Sequence, residues 1–375
     1  MRWKVEQARH RAGWSTWLVV DDEQFDPHPE AMRFAVSMEG AEKSPNTIRT
    51  YMLAVAAFLT WAAADGVRWQ SVNVLDLVRF KRHLQVVPSA RTGRPRAPRT
   101  VSVMLTAVTE FLRFCAANGH IDAAIADRLV EKRWIQQSRA LGRGEGGQFH
   151  RTRINALRVK VAERPPEVFS DEQVLAMREY AKTARDRFLL RVLHEGGPRI
   201  GETLGLLSED IHLLPNSRAL GCAVSGPHFH VRRRTDNRNY AIAKSKTPRH
   251  VPVADSFVSD YRDYQHERFT LLGDRQGRFL FVNYRGAEAG GPMTYSNAYQ
   301  IVSGLGRKCG FRATPHMFRH SAATEWIAAG SEIDVVQNLL GHATSESTSI
   351  YIHASDARTR AAVAAVHAAR QQGAR

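Results

Sequence analysis

Between Ser44 and Gly66 the chain reads SPNTIRTYMLAVAAFLTWAAADG, a stretch that fits a buried helix and little else. Ser44 carries an oxygen that can cap free N–H groups, and Pro45 suits the first helical position, where no N–H is needed. Ile48, Leu53, Ala56, Phe58 and Leu59 recur at the helical period as an apolar stripe, and Gly66 supplies the stop. The nearly apolar run from Tyr51 to Ala64, broken by Thr60, is shorter than a membrane span requires and reads as a core helix. Such a helix needs helical neighbours. Periodic segments at Val74–Leu84, Val101–Ala117 and near Ile121–Trp134 provide them, so residues 28–137 form a compact helical domain.

Residues 1–27 read as a leader with one strand in STWLVV. Between the helical segments, VPSARTGRPRAPRT spaces Arg91, Arg94, Arg96 and Arg99 with Gly and Pro, which suits phosphate contact rather than core packing. Residues 138–166, rich in Gly, Arg, Lys and Pro, read as a basic interdomain linker. A new start follows at FSDEQ, where Ser170 and Gln173 form a capping box. Helices run to Glu195. Strand signals follow in HFHVRRR, NYAIAK, RHVPV and FLFVN, and helices return after Met293. The fold class is therefore mainly α: a helical N-terminal domain and a C-terminal α+β domain over 167–357 with a small antiparallel sheet. Residues 358–375 form a tail helix with an Ala/Val stripe.

Lys plus Arg total 53 against 37 Asp plus Glu, a net charge of +16. That excess favours a polyanionic partner, nucleic acid first, and no basic amphipathic membrane anchor stands out. Cys115, Cys222 and Cys309 are scattered and odd in number, so neither a disulfide framework nor a zinc spacing follows from them. MRWKVEQARH carries no apolar signal stretch, and a reducing cytoplasm, with the protein on the nucleoid, is the expected setting.

The informative residues lie far apart. In TPHMFRHSAATEWIAAG, His316, Arg319 and His320 share roughly one helical face, opposite Phe318, Ala322, Trp326 and Ala329. Gly330 stops this helix, Ser331 caps the next, and Gly341 ends that one just before His342. A zincin site is excluded because Met317, not Glu, follows His316. Upstream, Arg199 opens a short helix after Gly196–Gly197–Pro198, and Glu202 can orient a neighbouring arginine. Lys244 and Lys246 lie two apart on a strand in AIAKSKTPRHVPV, with RHVPV returning as a hairpin. Tyr351 sits nine residues after His342.

In this order and spacing the set resembles the tyrosine recombinase (phage integrase) family, of the site-specific integrase and transposase type. The shared features are Arg199 with Glu202, a hairpin lysine, His316-x-x-Arg319, Leu340–Gly341–His342 and Tyr351. SPNTIRTYMLAVAAFLTW is similar to the family's helical, SAM-like core-binding domain. The resemblance implies that Tyr351 attacks a DNA phosphodiester and forms a 3′-phosphotyrosine, later resealed by a partner strand's 5′-hydroxyl. It implies that Arg199 and Arg319 grip the non-bridging oxygens, His316 bonds a phosphate oxygen, His342 supports developing charge, and Glu202 holds the shell together. Family hairpins often read G-K-x-x-K-x-R-x-V-P. Lys244, eight residues before Pro252, is thus the implied general acid, and Lys246 is the alternative.

Neither metal nor cofactor is implied. The implied partner is double-stranded DNA, with a dimer on each site, a tetrameric synapse, accessory DNA-binding proteins and no membrane. The rival readings are a type IB topoisomerase-like relaxing enzyme, a non-catalytic DNA-binding protein of the same fold, and a metal-dependent nuclease.

Overall fold

A computed structural model describes residues 1–9, 15–90, 92–136, 147–162, 165–234, 236–243, 245 and 247–341. They form two compact units, Met1–Glu163 and Arg164–Arg375.

The first unit opens on an antiparallel hairpin, β1 (Trp3–Arg9) and β2 (Ser15–Asp21), in register from Trp3↔Asp21 to Arg9↔Ser15. Helices α1 (Pro29–Gly40), α2 (Pro45–Ala64), α3 (Val74–Val86), α4 (Pro98–Ala117) and α5 (Ala123–Arg128) follow. Helix α2 starts where the residues dictate, with Ser44 Oγ accepting from the Thr47 N–H at 3.2 Å. Its buried face contains Ile48, Met52, Val55, Phe58 and Leu59, whereas Leu53, expected inside, is 44% exposed. Thr60, the polar break in the apolar run, accepts from the Trp3 N–H at 2.9 Å and donates to the Trp3 carbonyl. The segment read as a leader is thus stitched onto α2, and Val19 joins the core.

Helices α2 and α4 are each 20 residues long, with mean hydropathies of 1.3 and 1.4, enough by length and composition to cross a membrane. Each instead turns an apolar face into this unit's core, through Phe58, Leu59, Leu105, Phe111 and Leu112.

The helix expected over Ile121–Trp134 is short. Asp122 caps α5 through the Ala124 N–H at 2.9 Å, and the chain then becomes β3 (Val130–Gln136), paired antiparallel with β4 (Gly147–Arg153). The three consecutive charges Glu131–Lys132–Arg133 interrupt the apolar period that a longer buried helix would need. Leu157, within the stretch read as linker, is buried in this unit's core beside Ile154 and Val159.

The second unit comprises α6 (Asp171–Tyr180), α7 (Ala184–Gly196), α8 (Ile200–Leu204), a three-stranded sheet, then α9 (Asp255–Leu272), α10 (Tyr295–Lys308), α11 (Pro315–Ala328) and α12 (Ile333–Leu340). The sheet has the order β5 (Ile211–His212), β6 (His228–Val231), β7 (Arg249–Pro252), all antiparallel. Its inner face packs Phe229 and Val251 against α7 and α9, where Phe188 lies 4.9 Å from Phe257 and 5.6 Å from Tyr264 between ring centroids. The capping box at Ser170 forms, with bonds of 3.1 and 3.3 Å. The two N–H groups opening α7, of Ala184 and Arg185, each donate to the Glu267 carboxylate at 2.9 Å, where a negative charge suits the helix start.

Two strand expectations fail. In NYAIAK, Tyr240 has φ of 55°, which breaks extended pairing, and the Asn239 amide donates to the Leu204 and Met293 carbonyls instead. The antiparallel partner of RHVPV is therefore β6 and not the lysine segment. FLFVN forms no ladder strand: it makes isolated bridges, Phe279 with Leu207 and Val282 with Pro292, and single backbone bonds such as Leu280 N–H to the Leu206 carbonyl at 2.8 Å. Ser331 does not cap α12; Glu332 occupies that position, with no side-chain cap bond.

Candidate active site

Helix α7 ends because Gly197 turns left-handed, at φ of 55°. A Cβ there would meet the Ala322 Cβ at 3.1 Å and a Trp326 ring carbon at 3.3 Å, so glycine serves both the turn and the close approach of α11. Pro198 then re-aims the chain, and Arg199 becomes the N-cap of α8.

Glu202 is the hub of the site. It is 2% exposed, and its carboxylate accepts the Arg199 backbone N–H at 3.0 Å and Arg199 Nη1 at 3.1 Å. It also accepts Arg249 Nη2 at 2.7 Å. Burial alone would raise its pKa. The charge and hydrogen bond of Arg249, the Arg199 N–H and the charge of Arg319 outweigh burial and hold it below the ordinary 4.5. The carboxylate thus stays ionised between arginines, and about a quarter of the Arg199 side chain (26%) faces solvent, available to an incoming anion.

Arg249, on β7, completes the cluster around Glu202 and is the member that sequence reasoning missed. It is 7% exposed, its Nε donates to the Leu339 carbonyl at 2.8 Å, and its Nη1 is buried with no hydrogen-bond partner among the described residues. The signal for it was the Arg-His-Val-Pro run, which matches the R-x-V-P of the family hairpin.

Arg319, on α11, is 1% exposed rather than sharing an open face with His316. Its Nη1 donates to the Gly197 carbonyl at 3.0 Å and its Nη2 to the Leu340 carbonyl at 2.8 Å. The reason is electrostatic: the last carbonyls of α7 and α12 carry partial negative charge, and a guanidinium between them satisfies both. Arg249 and Arg319 together hold the carbonyls of Leu339 and Leu340, the end of α12. Gly341 follows in the left-handed region, at φ of 62°. A Cβ on it would lie 2.6 Å from Arg249 Nη1 and 3.2 Å from the Ser245 Cβ. The turn at Leu340–Gly341 therefore rests directly on Arg249 and on Ser245, the residue between Lys244 and Lys246 in the sequence. The same segment touches α8, since a Cβ on Gly201 would sit 3.0 Å from the Ile242 carbonyl.

His316 is exposed at the start of α11, and its ring packs edge-on against His320 with centroids 4.4 Å apart. Desolvation, with His316 and Arg319 adding to it, depresses His320 to about 4, so it is neutral near pH 7. Of the stripe expected to be buried on α11, Phe318 and Ala322 are buried, Trp326 is half-buried and Ala329 is exposed.

Lys244, Lys246, His342, Tyr351 and Arg91 lie outside the described residues. In the first unit Arg94 and Arg99 are exposed, whereas Arg96 folds back and donates to the Val87 carbonyl at 2.8 Å.

The described site is thus an arginine-rich shell organised by one buried carboxylate, able to receive an anion at Arg199 and anchored at the root of the segment leading to Tyr351. Comparison with known proteins points the same way. The phage integrase family model matches residues 167–358. Transposase A from transposon Tn554 of Staphylococcus aureus is 26% identical over 352 residues, covering 91% of each chain. Tyrosine recombinase XerD of Lacticaseibacillus casei is 27% identical over 262 residues, 70% of this chain and 74% of the relative. Among solved structures, XerH site-specific recombinase bound to a palindromic difH substrate superposes with a TM-score of 0.59 at 19% identity, covering 89% of this chain and 84% of that one. The Tn1549 transposon integrase in complex with transposon right end DNA gives a TM-score of 0.58 at 16% identity, covering 90% and 99%.

Proposed function

From the premise that this chain belongs to the phage integrase family, we propose that it is a site-specific DNA recombinase that cuts and rejoins strands through a 3′-phosphotyrosine, in the service of a mobile element. The observation that carries the reading is the buried Glu202 carboxylate linking Arg199 to Arg249, with Arg319 and Arg249 fixing the end of α12.

A phosphodiester resists attack because its oxygens are negative and a tyrosine is a weak nucleophile near pH 7, with an ordinary pKa of about 10. Arg199, its fork held by Glu202, neutralises the scissile phosphate, and Arg319 adds positive potential from beneath it. His316 donates to a phosphate oxygen and receives the Tyr351 proton as its oxygen attacks phosphorus. Lys244, or Lys246 in its place, protonates the departing 5′ oxygen, and His342 supports charge on the non-bridging oxygens. Resealing runs the same steps backward with a partner strand's 5′-hydroxyl.

The first unit and the 167–357 region each bind duplex DNA, with Arg94 and Arg99 of the first unit as backbone contacts. Dimers occupy each site and pair into a tetrameric synapse on the nucleoid, with accessory DNA-binding proteins assisting. The tail at 358–375 docks on a neighbouring protomer.

The test is a duplex from the DNA flanking the coding gene, spanning the element boundary and nicked near the cleavage point so that the cut strand cannot be resealed. Wild type is expected to give a denaturation-resistant protein–DNA adduct in EDTA, and Tyr351→Phe to bind the duplex without forming it. An adduct with Tyr351→Phe would refute the assignment of the nucleophile. Relaxation of any supercoiled plasmid, without need of the element ends, would refute site specificity.

A further inference from the structure

Strand β6 reads His228–Phe229–His230–Val231, and alternation sends Phe229 and Val231 into the core. That puts His228 and His230 together on the opposite face of the strand. His212, on the neighbouring strand β5, and Cys222, in the loop joining the two strands, come to the same point. The Cys222 Sγ lies 3.4 Å from Nε2 of both His228 and His230, and those two nitrogens are 3.1 Å apart. One ligand atom from each of the four residues falls within 4.8 Å of every other.

Zinc bonds of about 2.0–2.1 Å to nitrogen and about 2.3 Å to sulfur, at tetrahedral angles, set ligand separations of roughly 3.3–3.6 Å. The two sulfur–nitrogen spacings of 3.4 Å fall within that range, the nitrogen–nitrogen spacing of 3.1 Å lies just under it, and His212 stands within 4.8 Å of the other three. The outer contacts suit a metal too. His228 Nδ1 donates to the Gly226 carbonyl at 2.7 Å, which leaves its Nε2 lone pair for a metal. His212 Nε2 donates to the Glu209 carbonyl at 3.2 Å, which leaves Nδ1, buried and without a hydrogen-bond partner among the described residues. The Val224 N–H points at the Cys222 sulfur at 3.4 Å, as suits a thiolate.

We propose that His212, Cys222, His228 and His230 bind one Zn²⁺ in a closed tetrahedral N₃S site that pins the β5–β6 loop and stiffens the edge of the sheet carrying Arg249. Four protein ligands leave no open position, so the ion is structural and takes no part in strand cleavage. Binding releases the Cys222 proton to solvent and leaves three neutral imidazoles and one thiolate around the metal. The expectation from cysteine spacing is thereby revised. Cys222 finds its partners among histidines on two strands, an arrangement that no Cys-x-x-Cys pattern records.

The test uses the full chain without a histidine tag, purified from zinc-supplemented cells. Metal analysis is expected to find about one zinc per chain, and replacement by Co²⁺ to give the intense visible bands of a tetrahedral ion with a thiolate charge-transfer band. Cys222→Ser and His230→Ala should lower zinc retention roughly tenfold or more while far-UV circular dichroism shows them folded. A strong chelator should lower the wild-type melting temperature and leave that of Cys222→Ser unchanged. Wild type that neither retains zinc nor takes up Zn²⁺ in a chelator-competition titration would overturn the proposal, as would full stoichiometry in both variants. The cobalt spectrum of wild type needs no variant to fold, so it decides the matter if both substitutions aggregate.

Discussion

Replacing Glu202 by Gln tests the central feature of the site. The native carboxylate accepts Arg199 N, Arg199 Nη1 and Arg249 Nη2 at 3.0, 3.1 and 2.7 Å. An amide keeps one acceptor oxygen and turns an NH₂ toward an arginine, so Arg249, only 7% exposed, loses its counter-charge inside the protein. Removing one partner of a buried pair costs about 3–5 kcal/mol, and the retained oxygen places Glu202→Gln near the lower end, about 3 kcal/mol. For a unit of this size each kcal/mol lowers Tm by about 2–4 °C, so the expected fall is about 6–12 °C. Arg249→Met should cost a similar amount. The double variant should lose clearly less than the sum, because both members of the pair are then gone, with a coupling of about 1–3 kcal/mol. Thermal melts of the four proteins measure this. A Glu202→Gln melt indistinguishable from wild type, or strictly additive losses in the double variant, would refute the description of a buried arginine-carboxylate hub.

The same carboxyl sets an acid limit. Its folded pKa lies below 4.5, so its stabilisation is complete above that value and disappears as pH falls through the folded value. Acid unfolding of Glu202→Gln should therefore show a shallower slope below about pH 4.5 than wild type. His320 acts in the same direction by a different route, as a group buried neutral rather than charged. With a folded pKa of about 4 against an ordinary 6.5, it stays neutral while the unfolded chain takes up a proton, so stability falls as pH drops from 6.5 toward 4. His320→Asn should flatten that slope, and an NMR titration should find the native ring neutral at pH 5.5, about 1.5 units above its folded value. Gly341→Ala should cost more than Gly330→Ala. Both have positive φ, worth about 1–2 kcal/mol, but only the Gly341 Cβ meets Arg249, whereas nothing lies within 4 Å at Gly330. Differential scanning fluorimetry of the two variants checks the order. Ser170→Ala should lose about 1 kcal/mol by removal of the cap at α6, read from a denaturant midpoint.

The sequence made local rules legible and long-range ones illegible. Ser44 and Ser170 with Gln173 start helices, and Gly341 stops one, by chemistry confined to a few neighbours, and each does so in the structure. The helical and α+β classes followed from the same periodicities. What was lost depends on distant partners. Trp3 to Arg9 looks like a polar leader until Thr60, far along the chain, bonds Trp3. Arg319 and Arg249 look like solvent-facing cations. Their burial is set by carbonyls at the ends of α7 and α12, and no local pattern reports where those ends will meet. NYAIAK has strand residues, but Asn239 finds better partners in Leu204 and Met293 than a ladder would offer. In the site, Arg199 with Glu202 was legible because the pair is local, and Arg249 was not, because the carboxylate it completes comes from another element.

Consecutive peptide carbonyls, those of Leu339 and Leu340, are each held by a different guanidinium, and those guanidiniums come from different elements, β7 and α11. The last turn of α12 is therefore gripped like a shaft in a two-jawed chuck. Any reorientation of the chain toward Tyr351 must take its pivot at Gly341 or beyond it, since an earlier pivot would release two charge-assisted bonds at once. In the proposed mechanism, a swing of Tyr351 toward its own phosphate or a neighbour's would use the dihedral angles after Leu340 and would leave the bonds of Arg249 and Arg319 to α12 intact.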